Sequence, residues 1–191
     1  MVAGTLARAG YFMGEQLYPA RAANPKGFFE DAGVNGINED LLEPVSSGLR
    51  AGNRWLAMLP EGVEVRGDQQ VAARIQAMVS HVPWCFKDPR LCYTLPAWRP
   101  FLGDAGILCV FRHPMTAAQS IVEEVQNSAV LRGEAVDLAW ALRVWEAMYR
   151  RVLREQAEGR WLFLHYDQLL SETGLKRVSD FFEVEVDAGF P

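Results

Sequence analysis

Apolar positions recur along this chain at two spacings. Val2, Leu6, Ala9 and Met13 share one stripe at helical spacing and predict a helix over residues 1–13. Residues 14–27, rich in Pro, Gly and Asn, read as a loop. Ile37, Leu41, Leu42 and Val45 predict a second helix over 34–49, whereas 55–67 follow neither spacing. Asp68 suits an N-cap ahead of Val71, Ile75, Met78 and Val79, because its carboxylate can accept the free N–H groups of a first helical turn.

Continuous short apolar runs mark the other class of element. Residues 83–87, 106–111 and 161–166 predict three buried strands. Such runs suit a parallel sheet covered on both faces. Between and after them, helices are predicted at 114–127, 134–155 and 173–182, and a shorter one at 91–101 is interrupted by Pro96. Leu138, Leu142, Trp145, Tyr149 and Val152 give the long helix its apolar face. Arg143, Arg150, Arg151 and Arg154 fall mostly opposite and read as a solvated face. Strands alternating with helices imply right-handed crossovers and a parallel sheet in a three-layer α/β sandwich.

Composition narrows the class. The 191 residues suffice for one domain, with half of them hydrophobic and 23% charged. A net charge of −5 disfavours a broad nucleic-acid surface and leaves room for a local basic pocket. No run reaches the roughly 18–20 apolar residues of a membrane span, and no basic start followed by an apolar core marks a signal peptide. Cys85, Cys92 and Cys109 are odd in number and lack metal-ligand spacing, so no metal site is expected. Free thiols in apolar runs point to a reducing, cytoplasmic location.

The candidate chemistry sits at strand ends. Arg112, His113 and Pro114 follow the strand at 106–111, and Ser120 lies eight positions beyond Arg112 on the next helix. Pro suits a first helical position, where its missing N–H costs nothing. An arginine fork and a serine hydroxyl so placed can face one anion beyond the carboxyl end of the sheet. Pairing of Arg112 with a carboxylate is the alternative. Lys87, Asp88, Pro89 and Arg90 form a second strand-end cluster, in which Asp88 can instead pair with either cation.

Four segments in order resemble the sulfotransferase family that uses 3′-phosphoadenosine 5′-phosphosulfate (PAPS): 24–30 (Asn-Pro-Lys-Gly-Phe-Phe-Glu), 87–90, Arg112-His113-Pro114 with Ser120, and 165–170 (His-Tyr-Asp-Gln-Leu-Leu). The resemblance implies a P-loop nucleotide-hydrolase-like fold and transfer of a sulfuryl group to a hydroxyl or amine of a small-molecule or glycan acceptor. PAPS is the implied co-substrate, and no metal is needed. Arg112 and Ser120 match the family's 3′-phosphate pair, and Tyr166 stands where the family places an aromatic near adenine. Lys87 and Arg90 can neutralise the sulfonate or an acidic acceptor. Glu30 is the candidate general base in place of the histidine of the cytosolic branch, with Asp31 competing and a helix-terminal role for Glu30 as the alternative.

The family's phosphosulfate loop should lie just before the first helix, where the sequence begins. Residues 1–191 are therefore expected to be a single sulfotransferase-like domain cut at its N-terminus, with a cut at the C-terminus left open. Two other functions stay open, a non-catalytic nucleotide-binding module and a P-loop kinase-like phosphotransferase. The latter would need an acidic Mg²⁺ ligand.

Overall fold

A computed structural model describes residues 2–21, 24–131 and 133–187. Two strands, β1 (Gly106–Phe111) and β2 (Arg160–His165), pair in parallel, with Gly106 opposite Arg160 and Phe111 opposite His165. Seven α-helices are described: α1 (Val2–Arg8), α2 (Ala32–Leu42), α3 (Gln69–Val79), α4 (Leu91–Trp98), α5 (Pro114–Asn127), α6 (Leu138–Glu155) and α7 (Glu172–Phe182). The connection from β1 to β2 runs through α5 and α6, the long crossover that a parallel pair requires. The chain is a mixed α/β fold.

Alternation along the strands gives the sheet two covered faces. Leu108, Val110, Leu162 and Leu164 pack with Val2 and Leu6 of α1 and Val178 of α7. On the opposite face Cys109 lies close enough to Cys92 of α4 and Tyr149 of α6 to act on their ionisation. A larger core joins α2, α3 and α4 through Val34, Ile37, Leu41, Ile75, Tyr93 and Trp98. Among the described residues no helix is long and apolar enough to cross a membrane.

Helix caps follow local chemistry. Asp68 accepts from the Val71 N–H at 2.8 Å, as its sequence position implied. Asp137 accepts from the Trp140 N–H at 2.7 Å and starts α6 at Leu138, later than the expected residue 134. Glu134 is instead held outside the helix, where it accepts from Asn53 Nδ2 at 2.7 Å.

Other expectations are also corrected. The first helix ends at Arg8, because Gly10 turns into the left-handed region (φ 90°) and the Tyr11 N–H closes on the Leu6 carbonyl at 3.1 Å. The second helix ends at Leu42, and Pro44 confines the continuation to one 3₁₀ turn, Glu43–Val45. Residues 83–87 form no strand. They contribute one bridge, in which Phe12 N–H donates to the Pro83 carbonyl and Cys85 N–H to the Phe12 carbonyl. Arg151 is not on the solvated face of α6. It is buried, and its Nη2 donates to the carbonyls of Pro60 and Val63 at 2.6 and 2.7 Å.

Candidate functional site

The register of the sheet builds the first half of the site. Phe111 and His165 are the last paired residues, so Arg112 and Tyr166 are neighbours just beyond the carboxyl edge. The Arg112 guanidinium lies over the Tyr166 ring, 3.7 Å from its centroid. Guanidinium on aromatic is a favourable arrangement that keeps the N–H rim free for a ligand. Arg112 is half-buried and forms no ion pair among the described residues. Tyr166 is held by the turn it opens. The His165 ring nitrogen Nδ1 accepts from the Asp167 N–H at 3.3 Å, and Gln168 Oε1 accepts from the His165 N–H at 2.8 Å. His165 is thus a capping residue. Pro114 starts α5 directly after His113, and Ser120 sits exposed on that helix, roughly 9 Å along its axis from Pro114.

The second half is assembled from residues far apart in sequence. Lys87 Nζ donates to Glu30 Oε1 across 57 positions. The Lys87 side chain is 47% exposed and that of Glu30 17%, so solvent and ligands reach the pair mainly through the lysine. Asp31, the competing candidate, is buried. Its Oδ1 accepts from the Val34 N–H at 3.0 Å as the α2 N-cap, and its Oδ2 accepts from the Gln16 N–H at 2.7 Å. The helix-terminal role considered for Glu30 therefore belongs to Asp31. Gly14 is required beside it, since its φ is 118° and a Cβ there would lie 2.2 Å from Asp31 Cγ.

Backbone strain marks the approach to Glu30. Phe29 has φ 53°, in the left-handed region that bulky residues rarely occupy. Such strain persists only where the surroundings over-determine it. On the other side, Tyr18 N–H donates to the Glu30 carbonyl at 2.9 Å. Tyr18 is 40% exposed. Its phenol is pushed up by burial, against the opposing pull of Arg90 and with help from Glu30, Asp88 and Asp31.

Behind Lys87 lies a buried polar network. Asp88 accepts from Asn35 Nδ2 at 2.6 Å, Asn38 Nδ2 at 3.0 Å, the Arg90 N–H at 2.8 Å and Arg90 Nη1 at 3.0 Å. Arg90 also donates Nε to Glu39 at 2.5 Å and Nη2 to the Gly52 carbonyl at 2.9 Å. Glu39 in turn accepts from Arg54 Nη1 at 2.9 Å. Two arginines and two carboxylates balance within the network, the condition under which buried charges persist. Burial works against the Arg90 charge, but Asp88 and Glu39 outweigh it and hold its pKa above the ordinary value.

The structure thus gathers the expected residues into two pairs, Arg112 with Tyr166 and Lys87 with Glu30. Ser120 is on the helix that leaves the first pair. Arg90 is separated from them in kind, for its side chain is only 6% exposed and its donors are turned inward. Tyr18 and the asparagines of α2 carried no signal in the sequence. Among the described residues no group of three His, Cys, Asp or Glu side chains could hold a metal ion.

Ligands of open α/β sheets sit beyond the carboxyl ends of the strands, where Arg112 and Tyr166 lie. A family model described as the sulfotransferase family matches residues 25–188, and the chain belongs to that family. No curated protein and no solved structure matches it.

Proposed function

We propose that this chain is a PAPS-dependent sulfotransferase domain acting on a hydroxyl or amine of a small-molecule or glycan acceptor. The observation that carries the reading is Arg112 lying 3.7 Å over the Tyr166 ring at the carboxyl edge of the sheet, with no carboxylate partner among the described residues. A cation and an aromatic face at one point fit a phosphorylated nucleoside. The 3′-phosphate would be held by Arg112 and the Ser120 hydroxyl, and the adenine by Tyr166. When bound, PAPS supplies the sulfuryl group, which leaves the phosphate oxygen and joins the acceptor oxygen or nitrogen.

The chain's own residues do the rest. Lys87 presents an ammonium where negative charge spreads during transfer, and a fixed cation there lowers the barrier without reorganising. Glu30 accepts the acceptor's proton, the role of a general base within hydrogen-bond reach. Their contact in the structure sets base and cation at one point, so an acceptor entering between them meets both. Arg90, turned inward, supports the loop and does not touch the reactants.

The test is sulfuryl transfer from radiolabelled PAPS to a panel of hydroxyl and amine acceptors in the presence of a metal chelator. Labelled product should form. Lys87→Ala and Glu30→Gln should each lower its rate at least about 100-fold, within the range for lost charge stabilisation and general-base catalysis. Transfer that needs Mg²⁺ and a nucleoside triphosphate would contradict the reading in favour of a phosphotransferase. Nucleotide binding with no transfer to any acceptor would reduce it to a binding module.

A further inference from the structure

We propose that Asp88 is a positioning residue that fixes Lys87 against Glu30. Its carboxylate is fully inaccessible and receives four hydrogen bonds, two from α2 and two from Arg90. The donors on α2 are Asn35 and Asn38, one turn apart on the same face. That helix is capped by Asp31, the residue directly after Glu30. A single side chain therefore clamps the residue after Lys87 to the helix that begins just past Glu30. Both members of the ion pair hang from one rigid unit.

The rest of the network stiffens that unit. Asn38 turns its oxygen away from Asp88 and accepts from Thr94 Oγ1 and Trp98 Nε1, each at 2.8 Å. That ties α4 to α2. On the Glu30 side, the left-handed Phe29 and the Tyr18 N–H bond fix the backbone that carries the carboxylate. Long flexible side chains such as lysine lose much rotamer freedom when held in one geometry. Holding the backbone of Lys87 rigidly removes part of that loss and keeps the ammonium in contact with Glu30. A packing role alone would not call for a carboxylate with all four of its bonds aimed at the two sides of this junction.

The claim about position stands on geometry, and its consequence for rate rests on the sulfuryl-transfer reading above. The direct test is spectroscopic. The chain has three lysines, Lys26, Lys87 and Lys176. Reductive methylation with ¹³C-formaldehyde labels each as a dimethylammonium that keeps its charge, and Lys87→Arg assigns the Lys87 signal. Glu30→Gln gives the position of that signal when the ion pair is absent. In Asp88→Asn one acceptor oxygen becomes an NH₂ group facing N–H donors, so the clamp opens while Lys87 and Glu30 both remain.

The expected result is that the Lys87 signal of Asp88→Asn moves to its position in Glu30→Gln. A cooperatively folded Asp88→Asn with its Lys87 signal at the wild-type position overturns the proposal. Should Asp88→Asn fail to fold, Asn35→Ala decides. It removes the 2.6 Å donor and leaves the carboxylate, so the signal should move part of the way, and an unmoved signal overturns the proposal. In the transfer assay, folded Asp88→Asn should lose at least about tenfold in rate, as a misplaced catalytic group does. Its affinity for 3′-phosphoadenosine 5′-phosphate should stay unchanged. An unchanged rate overturns the proposal, while absence of transfer in the wild type counts against the sulfuryl-transfer reading alone.

Discussion

The two halves of the candidate site are built on opposite principles. Arg112 and Tyr166 are placed by the register of β1 and β2, Tyr166 in the capped turn that follows β2 and the Arg112 guanidinium resting on its ring. Lys87 and Glu30 are placed by a buried network of Asp88, Arg90, Asn35, Asn38, Glu39 and Arg54. The difference teaches where the chain keeps its binding capacity and where it keeps its order. On the proposed function, the group that meets a ligand's charge is left without a counter-charge among the described residues. A pair meant to act at one point is set into a frame that cannot shift without leaving buried charge uncompensated.

Replacement of Arg90 should break that contrast most strongly. Arg90→Ala leaves the buried Asp88 carboxylate without a cation and Glu39 with Arg54 alone, and removal of one partner from a buried ion pair costs about 3–5 kcal/mol. Denaturant unfolding should register that loss as a lower midpoint. Arg112→Ala, by contrast, gives up only the contact with Tyr166 and should cost under about 1 kcal/mol. Equal losses in the two variants would erase the distinction between frame and binding group.

The cysteines sharpen the comparison at smaller scale. Burial pushes the Cys109 thiol of β1 up to about 11. Cys92 of α4, beside the network, is held well above its ordinary value by burial and by the Asp88 carboxylate. The thiolate is the reactive form, so a raised pKa leaves less of it at any pH below that pKa. At pH 8.5 roughly one Cys109 in 300 is ionised. Alkylation of the folded protein should therefore be slow, faster as pH rises, and reach Cys109 before Cys85, whose thiol burial pushes up to about 12. Mass spectrometry of digests after timed labelling checks the order.

Much of this was legible in the sequence, and for identifiable reasons. The apolar runs gave β1 and β2, whose pairing places Arg112 beside Tyr166 with no further information. Pro114 marked the start of α5, and Asp68 the cap of α3. The Glu30–Lys87 contact spans 57 positions, and only the family resemblance nominated its members together. The Asp88 network was hidden. Its partners at 35, 38 and 39 lie about 50 residues away, on a helix whose polar residues look like an ordinary exposed face. Asp88 was open to pairing with either Lys87 or Arg90, and it takes Arg90, while Arg151, grouped with the solvated arginines of α6, is buried. Burial of a charged side chain depends on partners that local pattern does not contain. The segment at 83–87 looked like a strand because it is apolar and bounded, yet only one residue of it finds a bridging partner.

On the proposed function, the carboxyl edge of the sheet is a nucleotide site read by Arg112. Calorimetric titration of the purified chain with 3′-phosphoadenosine 5′-phosphate, beside Arg112→Ala, tests it most directly. The account predicts one binding event in the wild type, weakened at least about tenfold in the variant, the effect of losing a charge-assisted contact. Unfolding midpoints of the two proteins should stay close. No binding by a folded wild-type chain, or equal binding by the two proteins, would contradict it.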